Sequence, residues 1–130
     1  MENDTGHVKS ILVADDDPVV RTLLSELLQS QGHLVRLASN GQECLTLLAS
    51  AHPDLLFLDL QMPLLSGLDV LAELQKQLGR PPFPVVLLSA DSESTKLLAA
   101  RGLSADLFLL KPFKVQAISD AIARLCGSRR

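Results

Sequence analysis

Residues Pro53–Pro63 read PDLLFLDLQMP: a proline and an acid, the apolar residues Leu55–Leu58, then Asp59 and a short run closed by a second proline. An apolar stretch this short and unbroken, bounded by turn-forming residues, suits a strand buried on both faces of a parallel sheet. Similar runs flank it at Ile11–Ala14, Leu34–Ala38, Pro84–Ser89 and Leu107–Leu110. Amphipathic segments lie between them. The alternation reads as five strand–helix units, (βα)5, an α/β fold whose doubly wound parallel five-stranded sheet carries helices on both faces.

The intervening segments have their own start and stop signals. Asp17-Pro18 supplies an N-cap oxygen and a proline at the first helical position, and Val20, Leu23, Leu24, Leu27 and Leu28 recur at helical spacing up to Gly32. Asn40, with Glu43 three residues on, predicts the cap of a second helix that buries Cys44, Leu45 and Leu48. A third starts at Ser66 and Gly67, carries Val70, Leu71, Leu74 and Leu78, and breaks at Gly79-Arg80-Pro81-Pro82. The fourth, about Ser92 to Arg101, is apolar only in its second half, so a short and mobile helix is expected. Val115, Ile118, Ile122 and Leu125 mark the fifth.

Composition bounds the rest. A chain of 130 residues, 47 % apolar and 21 % charged, is too apolar for a disordered tail and too short for a second domain. The formal charge of −3 gives no electrostatic reason to bind nucleic acid or an anionic membrane. Residues Met1 to Ser10 are polar and carry acids, unlike a signal peptide, and no apolar run approaches the ~20 residues of a membrane span. A cytoplasmic protein is expected. Cys44 and Cys126 lack any C-x-x-C partner and read as buried or half-buried thiols. His7, His33 and His52 share no metal-ligand spacing and are assigned to surface or loop.

In open parallel sheets, ligands bind beyond the carboxyl ends of the strands, where strand order reverses. Those ends here are Asp15-Asp16-Asp17, Asp59, Ser89 and Lys111-Pro112. Singly, each has a plain structural reading: Asp17 as a helix cap, a lone Asp as a turn residue, Ser89 as a strand-end hydroxyl, Lys111 as a solvated cation. Capping does not explain their convergence. Carboxylates gathered this way repel one another, and a hard divalent cation relieves them. Mg²⁺ fits, because it takes one or two carboxylates, keeps several waters and recruits phosphate oxygens. A phosphoryl group is then the expected substrate, with Lys111 and Ser89 on its oxygens and Asp59 as the nucleophile of an acyl phosphate.

The segments ILVADDDPVVR, PDLLFLDLQMP followed by SGLDVL, PVVLLSA and SADLFLLKPF resemble, in order and spacing, the response-regulator receiver domains of two-component signalling, the CheY-like superfamily. The resemblance covers Lys9 to Cys126. It implies strand order 2-1-3-4-5, the flavodoxin-like topology, with an N-terminal tail over 1–8, the receiver domain over 9–126 and a C-terminal tail over 127–130. Residue by residue, it makes Asp59 the phosphoacceptor and Asp15 and Asp16 the acidic pair of the Mg²⁺ site, Asp16 directly and Asp15 through water. The backbone carbonyl of Gln61 is a further ligand, and Mn²⁺ is an alternative ion. Ser89 matches the hydroxyl that bonds the phosphoryl group, Ala90 the small residue beside it, and Lys111 the lysine, with a cis bond to Pro112. Phe108 stands at the switch-aromatic position, often tyrosine in the family, and Ser104 where glycine is usual.

The resemblance implies a phosphorelay partner, either a sensor histidine kinase or a histidine phosphotransfer protein, with readout on the fourth helix, fifth strand and fifth helix. It implies a monomer or weak dimer, since KVQAISDAIARL lacks the acidic and arginine pattern of the DNA-binding subfamily's dimer. A signalling phosphoacceptor of this kind catalyses only its own phosphorylation and dephosphorylation. Three rivals meet specific objections. An aspartyl-nucleophile phosphatase of the haloacid dehalogenase class needs a second Asp two residues after the first, and Gln61 stands there. A flavodoxin-type cofactor binder needs donors where ADDDPV is acidic. A degenerate receiver would lack one of the acceptor, metal, hydroxyl or lysine positions.

Overall fold

The computed structural model describes residues 8–126. In chain order the elements are β1 (Ser10–Ala14), α1 (Pro18–Ser30), β2 (Leu34–Ala38), α2 (Gly41–Ser50), β3 (Leu55–Asp59), α3 (Gly67–Leu78), β4 (Val85–Ser89), α4 (Ser94–Ala100), β5 (Leu107–Leu110) and α5 (Val115–Cys126). The strands form one sheet in the order β2-β1-β3-β4-β5, every pair parallel. The tails expected over 1–8 and 127–130 lie, apart from Val8, outside the described residues.

The two-residue period of a strand sorts its side chains to opposite faces. Leu12, Ala14, Leu56, Leu58, Val85 and Leu87 face one way and pack with Cys44 and Leu48 of α2, Val70, Leu71 and Leu74 of α3, and Leu98 of α4. Ile11, Val13, Leu55, Phe57, Val86 and Leu88 face the other way and pack with Leu24 and Leu28 of α1 and with Ile118, Ala121 and Ile122 of α5. Strands β3 and β4 are buried throughout. The edge strands correct the expectation of burial on both faces: Leu34 of β2 is 67 % exposed and Leu110 of β5 is 46 % exposed, because no further strand or helix covers them. Leu45 is half-buried, and Leu78 and Val115 are exposed at the ends of their stripes.

The caps follow the sequence. Asp17 accepts from the Val19 N–H at 2.9 Å, Asn40 from the Glu43 N–H at 2.8 Å, and Ser66 and Asp69 close a reciprocal capping box. The fourth helix is shorter than expected, because Ser94 N–H turns back to the Asp91 carbonyl at 3.2 Å and the helix starts only there. The Lys111-Pro112 bond is cis, and the turn before β5 takes its positive φ at Gly102 (69°), so Ser104 needs no glycine conformation.

Gly67 opens α3 hard against the end of β3. A Cβ on it would overlap the Asp59 carbonyl oxygen and stand 2.8 Å from the Leu60 Cα, both backbone atoms that no rotamer change can move. Gly67→Ala is therefore expected to destabilise the domain by about 1–3 kcal/mol. Gly102→Ala, with positive φ but open space around it, is expected to cost about 1 kcal/mol. Urea unfolding separates them further: only Gly67→Ala should also reduce the stabilisation that Mg²⁺ gives. Equal loss of that stabilisation in both variants would show that the close approach to Asp59 is unimportant.

Candidate functional site

Ala14 of β1 pairs with Leu58 of β3, so the next residues outward, Asp15 and Asp59, emerge side by side between the two strands where chain order reverses. On the other side of β3, Leu88 pairs with Asp59 and Ser89 with Leu110. That register puts the β4 hydroxyl and Lys111 beside the same carboxylate. The Lys111 N–H donates to the Ser89 carbonyl at 2.7 Å and fixes the last step of β5 against β4.

Asp15 is fully buried and Asp59 is 3 % exposed, while Asp16 faces solvent. The Lys111 ammonium lies 2.7 Å from Asp15 Oδ2 and 3.6 Å from Asp59 Oδ2. Asp15 Oδ1 accepts the Asp17 N–H at 2.9 Å, and Asp59 Oδ1 accepts the Gln61 N–H at 3.2 Å. Asp15 Oδ2 accepts no well-aligned hydrogen bond and meets only the ammonium. One oxygen from each of Asp15, Asp16 and Asp59 lies within 4.8 Å of the others. Three hard oxygen donors so close, one on a buried carboxylate short of hydrogen bonds, fit a divalent cation better than solvent alone.

The charge balance shows in protonation. Burial, and then the Asp15 carboxylate, push Asp59 up from an ordinary 3.8 to about 7, while the Gln61 N–H and Lys111 pull the other way. Burial alone would lower Lys111, but the carboxylates of Asp15 and Asp59 outweigh it and hold the ammonium above its ordinary range. One ammonium does not neutralise two buried carboxylates.

Other residues fall around this centre. Asp17 is a helix cap outside the cluster. Gln61 meets Asp59 through its backbone, with the side chain exposed. Phe108 is half-buried on β5, paired with Leu87 and packed into the core that holds Leu98 and Leu103. Cys44 is buried, which pushes its thiol up to about 12, and Cys126 is half-buried. His33 lies just before β2 and accepts the Lys9 N–H at 3.2 Å, and exposed His52 meets Phe83 edge-on. Two contacts to site residues, and one turn after β3, were missed in the sequence. Arg21 donates to the Asp15 carbonyl at 2.7 Å, Leu64 holds φ 71° in a γ-turn closed by the Leu65 N–H on the Pro63 carbonyl, and buried Ser94 lies 3.1 Å from the Ser89 hydroxyl.

A parallel sheet in this order, with acids, hydroxyl and lysine on its carboxyl rim, is the architecture of a signalling receiver. Residues 11–123 match the response regulator receiver domain family, and the chain belongs to it. It is 38 % identical over 115 residues to the response regulator MprA of Mycolicibacterium vanbaalenii, covering 88 % of this chain and 48 % of that protein. The chain thus spans about half the length of the curated relatives it matches. Among solved structures, it is similar to the response regulator TrrA of Thermotoga maritima in complex with Mg²⁺-BeF, at 36 % identity and TM-score 0.79 over 91 % of this chain and 99 % of that one. It is also similar to the receiver domain of a sensor histidine kinase from Pseudomonas aeruginosa, with a magnesium ion in its active-site cleft, at 25 % identity and TM-score 0.82 over 93 % and 99 %. Among the described residues, no helix is long and apolar enough to cross a membrane.

The raised pKa of Asp59 has a signed consequence for the metal-free protein. Between about pH 4 and pH 7 the folded state holds a proton on Asp59 that the unfolded chain has released. The stabilisation from this group is therefore full below pH 4 and is lost as pH rises through 7. His33, lowered by burial and by Lys9, works in the opposite direction, so the difference between variants isolates Asp59. Urea melts in EDTA from pH 5 to pH 8 should show Asp59→Asn gaining on wild type as pH rises, by on the order of 1–2 kcal/mol at pH 8. Parallel profiles for the two proteins would contradict a strained acidic pair.

Proposed function

We propose that the chain is a phosphorylation-dependent switch in which Asp59 accepts a phosphoryl group. The observation that carries this reading is a buried, charge-crowded carboxylate at a strand end, 3.6 Å from an ammonium and ringed by two further acids. Asp16 directly, Asp15 through water, Asp59 and the Gln61 carbonyl would hold Mg²⁺, or Mn²⁺ in its place. When bound, the ion neutralises carboxylate and phosphoryl oxygens together.

The chain's own groups then have distinct tasks. An Asp59 oxygen attacks phosphorus, and a P–O bond forms as the P–N bond of a partner's phosphohistidine breaks. The departing imidazole nitrogen keeps the bonding pair and takes a proton from water. Lys111 meets one phosphoryl oxygen and the Ser89 hydroxyl another. The partner is a sensor histidine kinase or a histidine phosphotransfer protein, and a small acyl phosphate can substitute for it. A downstream protein reads the altered site on α4, β5 and α5, and the chain itself acts as a cytoplasmic monomer or weak dimer without direct contact to nucleic acid or membrane. The receiver domain extends over 9–126, and its only catalysis is on itself.

Acetyl phosphate with Mg²⁺ should add one phosphoryl group, labile to base and hydroxylamine, and Asp59→Asn should abolish it. Retention of the label in that variant, or its recovery on Ser89, would refute the assignment. A second outcome separates attachment from switching. Lys111→Ala and Ser89→Ala should accept phosphate slowly yet lose the amide shifts around Phe108 and α4 that accompany phosphorylation in wild type. Wild-type shifts in both variants would remove the two side chains from the relay.

A further inference from the structure

Four polar or charged residues are buried among the described residues: Asp15, Asp59, Ser89 and Ser94. The reaction above employs the first three. Ser94, 5 % exposed and the first residue of α4, has no task in it.

Its surroundings fix what its hydroxyl does. Ser94 Oγ lies 3.1 Å from Ser89 Oγ, and either could be the donor by distance alone. Ser89 Oγ also accepts the Asp91 N–H at 3.0 Å and lies 3.2 Å from the Asp91 carbonyl oxygen. A hydroxyl has one proton and two lone pairs. If Ser89 donated to Ser94, the buried Ser94 proton would have no acceptor among these contacts, at a cost of about 1–3 kcal/mol. With Ser94 as donor every proton is placed: Ser94 O–H on Ser89, Asp91 N–H on Ser89, and Ser89 O–H on the Asp91 carbonyl. Both lone pairs of Ser89 are then taken. Its proton is the one feature it can redirect.

We propose that Ser94 is a positioning residue that fixes the Ser89 hydroxyl as a hydrogen-bond donor toward the phosphoryl group and ties that contact to the first turn of α4. The proposal rests on the phosphoacceptor reading of Asp59 and deepens it. When the Ser89 O–H turns from the Asp91 carbonyl to a phosphoryl oxygen, that carbonyl keeps the Ser94 N–H at 3.2 Å, so no buried acceptor is stranded. The bond from Ser94 persists through the turn and polarises the Ser89 O–H, strengthening its new contact. Movement of Ser89 toward the phosphoryl group therefore draws the start of α4 with it.

The test is beryllofluoride binding by the full chain in Mg²⁺, with acetyl phosphate labelling in parallel. Ser94→Ala should weaken beryllofluoride binding about 3- to 10-fold and leave the affinity for Mg²⁺ alone unchanged, whereas Ser94→Thr should retain wild-type binding. In a Ser89→Ala background, Ser94→Ala should have no further effect, because its only route to the ligand is gone. Wild-type binding by Ser94→Ala, in a chain whose Asp59 is labelled normally, overturns the role given to Ser94. An undiminished effect in the Ser89→Ala background does the same, since it assigns Ser94 to helix stability. Absence of Asp59 labelling in wild type would instead fail the phosphoacceptor reading itself, and this proposal with it.

Discussion

Two carboxylates and one ammonium share the space between the ends of β1, β3 and β5, and their charges do not cancel. Lys111 is closest to Asp15, at 2.7 Å, and stands 3.6 Å from Asp59, so the carboxylate at the end of β3 is the less well compensated of the two. Burying an ion pair is favourable only when geometry and further hydrogen bonds repay desolvation, and here one Asp15 oxygen has nothing beyond the ammonium. The fold holds these groups together against their repulsion. Arg21 grips the Asp15 carbonyl, the Asp17 N–H fixes one Asp15 oxygen, the Gln61 N–H fixes one of Asp59, and Gly67 lets α3 start against the β3 backbone. The sheet's hydrophobic burial keeps the site poised to take up positive charge.

This arrangement favours Asp59 over the other carboxylates on the rim for the proposed role of acceptor. Asp16 is exposed and free to meet a cation with its water, and Asp15 is already engaged by Lys111. Asp59 is buried, charge-crowded and anchored at one oxygen, which leaves its other oxygen facing Lys111. A nucleophile at that position forms its new bond beside a cation that stays in place for the oxygens of the incoming group.

How much of this was legible in the sequence depends on what each signal encodes. The unbroken runs of β1, β3 and β4 announce burial on both faces, and the structure has it there. The run of β2 is interrupted by Arg36, a charge that suits an edge strand, whereas nothing within Leu107–Leu110 marks β5 as the other edge, because edge position is a property of strand order. The caps at Asp17, Asn40 and Ser66 were readable because a cap is local chemistry. The acids, Ser89 and Lys111 were readable because each ends a strand run. Ser94 was not, since Ser92 and Ser94 are equivalent letters in a polar turn and only three-dimensional packing buries one and exposes the other. Gly67 was visible as a residue after a cap, whereas its contact with the Asp59 backbone belongs to the crossover from β3 to α3.

Helix α4 is where these properties meet. It has seven residues, no side-chain cap at Glu93 and only Ser94 and Leu98 buried. A segment that short cannot sustain a helix by itself, so its position is set by what holds it. Those holds are the Ser94 hydroxyl on Ser89, the Leu98 side chain in the core and the Arg101 ion pair to Asp69 of α3 at 3.6 Å. The ion pair is partly exposed and weak, and the core contact is one side chain. The hydroxyl bond is the hold that ends at the acidic site. Phe108, half-buried in the same core as Leu98 and Leu103, has no hydroxyl to exchange, so its link to α4 is packing alone. In the proposed switch, a displacement that begins at Ser89 reaches α4 as a hydrogen bond and β5 as a change in how an aromatic ring is covered.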